Sequence, residues 1–94
     1  MITLDEAAQR VLMVYPALTA DEARRVAELE REYPRWHVWP RVGYPATPGW
    51  YARRTLTSPP ALIRAVTLAE VSPAIESWIE EHAGAWRWAG QAGR

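Results

Sequence analysis

Apolar residues recur at helical spacing in the first third of the chain. Leu4, Ala8, Val11, Leu12 and Tyr15 share one side of a helix that Pro16 stops. Over 20–33, Ala23, Val26, Leu29 and Tyr33 do the same, with Pro34 as the stop. Both starts carry a capping box, Thr3-x-x-Glu6 and Thr19-x-x-Glu22, in which a hydroxyl and a carboxylate satisfy backbone amides that the helix itself leaves unpaired. Thr67-x-x-Glu70 matches as well, with Val66 and Val71 at the positions of a hydrophobic staple. Pro73 follows closely, and deep inside a helix it would cost about 3 kcal/mol. Ser72-Pro73 therefore reads as a fresh N-cap and first helical residue. The pattern predicts a short turn over 67–71 and then a helix over about 73–83. Ile75, Trp78, Ile79 and His82 form its apolar stripe, and Gly84 is its terminator.

The middle of the chain follows a different period. Trp36-His37-Val38-Trp39 and the run from Trp50 to Leu56 are rich in aromatic and β-branched residues, which suits strands. The joining segment, Pro40 to Gly49, holds three prolines and two glycines and is too long for a tight hairpin turn. Ala61 to Val66 is a third strand after Ser58-Pro59-Pro60, and the tail from 84 onward, with Trp86 and Trp88, is expected to fray at its end. The expected fold is one small α+β domain over 1–94, in the order α-α-β-β-β-α. It comprises an N-terminal helix over 1–16, a core unit over 20–83 and a Trp-containing tail over 84–94, with helices covering one face of a three-stranded antiparallel sheet. Strand parity then sorts the side chains. Trp36, Val38, Trp50, Ala52 and Leu56 go inward, with Arg54 on their side, while His37, Trp39, Arg41, Tyr51 and Arg53 go outward together with Arg64.

Composition narrows the chemistry. There is no cysteine, lysine or asparagine in the 94 residues, so disulfides, thiolate and Schiff-base catalysis and N-glycosylation are excluded. No apolar run approaches the roughly 20 residues that span a bilayer, and the start lacks the shape of a signal peptide. A cytoplasmic protein with no membrane partner is expected. The net charge is zero, yet it is segregated: residues 1–32 carry −3, residues 33–69 carry five arginines and no acid, and residues 70–94 carry −2. A basic, aromatic sheet between acidic helices is implied, suited to anionic partners or to pairing with acidic helices of the same or a second subunit.

Two resemblances accompany these residues. The α-β-β-β-α order over 20–83 resembles that of the double-stranded RNA-binding domain, a family that grips phosphates with basic residues at the start of its last helix. The matching positions here, Pro73, Ala74, Ile75 and Glu76, include no basic group. Trp36-x-Val38-Trp39 followed by Trp50-Tyr51-Ala52-Arg53-Arg54 resembles a W-x-[VI]-W … W-[WY]-A-[TR]-R pattern in a group of small actinobacterial proteins, a group that implies no particular activity.

Catalytic signals are weak. His37 and His82 lie on different elements without metal-ligand spacing, and Ser58, Ser72 and Ser77 have no nucleophile-elbow context. No glycine-rich loop is present to cradle a phosphate. Neither cofactor nor metal is expected. The residues favour a non-catalytic binding protein, an accessory or regulatory subunit whose partner site is His37, Trp39, Arg41, Tyr51, Arg53 and Arg64. Nucleic-acid binding by the same surface is the alternative, and small-ligand binding or catalysis comes third. Self-association as a homodimer is also expected, because the first helix need not fit the core of the α-β-β-β-α unit.

Overall fold

A computed structural model describes residues 2–55 and 61–92, with side chains as far as His82. Leu56, the Ser58-Pro59-Pro60 turn and the side chains of Trp86 and Trp88 lie outside the described residues. Helices α1 (Leu4–Val14) and α2 (Ala20–Glu32) are followed by strands β1 (Trp36–Pro40), β2 (Trp50–Arg54) and β3 (Ala61–Ala65). A 3-10 turn over Leu68–Glu70 then leads into α3 (Val71–Ala92). The order is α-α-β-β-β-α, and the strands form one antiparallel sheet in the order β1-β2-β3. No described helix is long and apolar enough to cross a membrane.

Local chemistry accounts for the first two helices. The Thr3 hydroxyl accepts from the Glu6 amide at 3.1 Å, which is half of a capping box. At α2 the box is complete, with the Thr19 hydroxyl taking the Glu22 amide and the Glu22 carboxylate taking the Thr19 amide at 2.9 Å. Each helix ends at a tyrosine that precedes a proline, where the chain must leave the helical region.

The third segment departs from the sequence reading. The Thr67 hydroxyl caps nothing, and the Glu70 carboxylate reaches instead to the Val66 amide at 3.3 Å. Val66 stays exposed while Val71 is fully buried, so the two do not pair as a staple. Helix α3 starts at Val71, not at Pro73, and continues through Gly84 to Ala92 instead of ending there. Pro73 is tolerated because it lies in the first turn, where its missing N–H has no partner within the helix. Gly84 costs about 1 kcal/mol relative to alanine inside a helix, too little to stop this one. Ser72 is not a cap: its hydroxyl shares a 3.1 Å hydrogen bond with the Tyr33 hydroxyl.

The core lies between the helices and one face of the sheet. Val26, Leu29 and Tyr33 of α2, Val71 and Ile75 of α3, and Trp36, Val38, Trp50 and Ala52 of the strands are buried together with Leu18. Helix α1 joins this core as well. Ala8 packs against Ala23 and Ala27 of α2 through small side chains, and Val11, Leu12 and Tyr15 extend the contact into the main cluster. Asp5 pairs with Arg24 across the two helices. The apolar side of α1 is thus packed within one chain, with Ala8 buried and Leu4, Val11, Leu12 and Tyr15 half-buried, so α1 fits the core, against the expectation from the sequence. Met13 and Val14 alone stay exposed among its large apolar residues.

Candidate functional site

Register sets the composition of the face turned away from the helices. Pairing aligns His37 with Arg53 and Leu62 in one row, and Trp39 with Tyr51 and Arg64 in the next. All six point away from the core, because Trp36, Val38, Trp50, Ala52 and Arg54, at the alternate positions, are the buried ones. Among the described residues no element covers the outer face: Trp39 and Tyr51 are half-buried, and His37, Arg53, Leu62 and Arg64 are exposed.

The rings form a contiguous ridge. His37 stacks on Trp39 at 5.3 Å between centroids and 22° between planes, and Trp39 meets Tyr51 at 5.7 Å and 37°. Such offset pairs hold their rings in place. His37 is oriented further by Glu30, whose Oε2 lies 2.8 Å from the imidazole Nδ1 and also accepts the Val38 amide at 2.8 Å. No motif in the sequence points to Glu30. It lies on α2, and its distance from His37 and Val38 along the chain follows no motif.

Arg41 lies one residue beyond β1, on the same parity, and a glycine places it. Gly49 is buried at φ +154, and a Cβ there would lie 3.1 Å from the Arg41 Cδ. The aliphatic stem of Arg41 occupies that space, while its amide bonds the Gly49 carbonyl at 2.9 Å. A cleft of about 240 Å³ follows, with Arg41, Tyr51 and Arg64 in its lining beside Pro48 and Glu70. The six residues expected from the sequence thus share one surface. Leu62 is the addition, and its signal was available, since it lies two residues before Arg64 on the same strand.

Arg54 shows how the opposite face differs. It is 8% exposed, and its guanidinium lies 5.2 Å over the ring of Trp78, which meets Trp36 edge-on at 5.4 Å. His82 stacks on the same Trp78 and bonds its carbonyl through Nδ1 at 2.8 Å.

Several titratable groups are perturbed on the helix side of the sheet. Burial raises the Tyr33 hydroxyl, and its hydrogen bond to Glu76 raises it further. The hydrogen bond to Glu22 raises Tyr44, with burial adding to it. Burial pushes the Glu22 carboxyl up, but hydrogen bonds from Thr19 and Tyr44 outweigh that and hold it below its ordinary value. These pairs fasten the Pro40–Gly49 segment and α3 to α2, which gives them a structural explanation. Among the described residues no group of three or more His, Asp or Glu side chains could hold a metal ion. Comparison with protein-family models, with curated proteins and with solved structures finds no match.

Proposed function

We propose that the protein acts by binding, without catalysis, and that the outer face of its sheet docks an acidic surface of another protein, as an accessory or regulatory subunit would. The observation that carries this reading is the ridge His37–Trp39–Tyr51, flanked by Arg53 and Arg64 on a strand region with no acidic residue. Aromatic and arginine side chains anchor interfaces because they combine large contact area with directional polar groups. The same residues could attract nucleic acid through phosphates. A base, however, needs an open ring face to stack on. Trp39 already stacks on His37 and touches Tyr51, so less of its ring is open to a base, which supports a protein partner over a nucleic-acid strand.

Tagged protein recovered from its source cells at low and moderate salt tests this, compared with the Arg53→Ala/Arg64→Ala double variant. The expected result is a stoichiometric acidic protein that the double variant fails to retain. Nucleic acid recovered instead, with a steep loss on raising salt, would replace the protein reading with the nucleic-acid one. A partner retained equally by the double variant would place the site elsewhere.

A further inference from the structure

The two edges of the sheet are finished differently. Between β1 and β2 the Arg41 amide bonds the Gly49 carbonyl at 2.9 Å, and the Thr55 amide bonds the Arg35 carbonyl at 2.7 Å. Antiparallel strands alternate such pairs with pairs whose polar groups point away. His37 and Trp39 therefore bond to β2, and Trp36, Val38 and Pro40 turn their backbone to the outer edge of β1. No donor is left there. The Trp36 amide bonds the Tyr33 carbonyl at 2.9 Å, the Val38 amide bonds Glu30 at 2.8 Å, and proline has no N–H.

The β3 edge is open. By the same parity β2 turns Trp50, Ala52 and Arg54 toward Ala65, Ile63 and Ala61. Leu62 and Arg64 then point their amides and carbonyls away from the sheet, with no partner among the described residues. Val66, next along, has its amide closed by Glu70 at 3.3 Å. The side chains here are also incompletely covered. Ala61, Ile63 and Ala65 are only half-buried on the core side, whereas Trp36, Val38, Trp50 and Ala52 of the other strands are buried, and Leu62 is 50% exposed.

We propose that the β3 edge pairs with the β3 edge of a second copy of this chain, antiparallel about a two-fold axis at Ile63. The two sheets then become one of twice the width. Three features select a second copy over a foreign peptide. The open stretch is only two residues long, and an unstructured peptide would have to lose the conformational freedom of every residue it lays down there. A second β3 is already an ordered strand. The stretch is also self-complementary, because each Leu62 falls opposite the other copy's Arg64 and no two arginines face each other directly. Finally, the axis sets Ile63 against Ile63 on the core side, covering the apolar surface that β3 alone leaves half-open. This inference does not depend on what the outer face binds.

Sedimentation equilibrium of the full chain from micromolar to millimolar concentration tests the proposal, together with residue-resolved amide exchange. A monomer–dimer equilibrium is expected, with exchange at Leu62 and Arg64 slowing on the order of tenfold as the dimer fills, and with Trp36 and Val38 unchanged. Leu62→Lys sets a cation opposite Arg64 and is expected to hold the chain monomeric across the range, with an unchanged circular-dichroism spectrum. If that variant fails to fold, the exchange measurement on the unaltered chain decides alone. A single monomeric mass throughout overturns the proposal. So does a dimer in which exchange at Leu62 and Arg64 is independent of concentration.

Discussion

Arg53 and Arg54 are neighbours in the chain and occupy opposite worlds. Arg54 lies beneath the helices over the Trp78 ring, and Arg53 stands in solvent on the outer face. The tryptophans divide in the same way, Trp36 and Trp50 inward and Trp39 outward. Both faces of the sheet are therefore built from tryptophan and arginine. Residue type does not tell core from surface in this chain; the two-residue period of the strand does. A count of tryptophans or arginines would misjudge either face.

The contrast can be broken most directly at Trp50. Its removal leaves a large cavity between sheet and helices, and Trp50→Ala is expected to cost about 3–5 kcal/mol in chemical denaturation. Arg54→Ala is expected to cost about 2 kcal/mol, since the buried guanidinium and its stem pack on a ring, while Arg53→Ala should fall within about 0.5 kcal/mol of the unaltered chain. Equal losses for the two arginines would contradict the assignment of the faces. Trp39→Ala removes two ring contacts but opens no core cavity, so about 1 kcal/mol is expected, together with a loss of partner retention.

The smallest effect is a matter of pH and belongs to the helix side. Because Glu22 is held below its ordinary value when folded, its contribution to stability is complete above the ordinary glutamate range and is lost as pH falls through the folded value. Tyr44 runs the other way: its raised value makes its contribution complete below the ordinary tyrosine range and lost as pH rises through the folded value. Tyr44→Phe is expected to cost about 1 kcal/mol or less near neutral pH. The same change should move the Glu22 titration, followed by carbon NMR, back up toward its ordinary value. A Glu22 titration left unmoved would show that Thr19 alone sets it.

Much of this architecture is legible in the chain before folding. Thr3 and Thr19 mark two helix starts, and the alternation through Trp36–Trp39 and Trp50–Arg54 assigns the faces of two strands, because hydrogen-bonding and packing demands there are local. The last helix is not legible in that way. Pro73 and Gly84 resemble a start and a stop, yet a proline in a first turn costs almost nothing and one interior glycine costs too little to end a helix. The candidate site divides similarly. Parity gathers His37, Trp39, Arg41, Tyr51, Arg53 and Arg64, whereas the packing of the Arg41 stem on Gly49 and of Glu30 against β1 are tertiary contacts with no spacing to betray them.

The sealed edge of β1 carries a consequence for how large an assembly can become. A strand whose outward donors are all occupied is, in the language of polymer chemistry, a chain stopper. With one edge short of donors and the other open, the proposed pairing would favour a closed two-fold pair over growth into a filament. Glu30 supplies that stop at Val38 with a single carboxylate oxygen. Its loss would raise the valence toward two, turning a self-limiting particle into a monomer for open-ended growth.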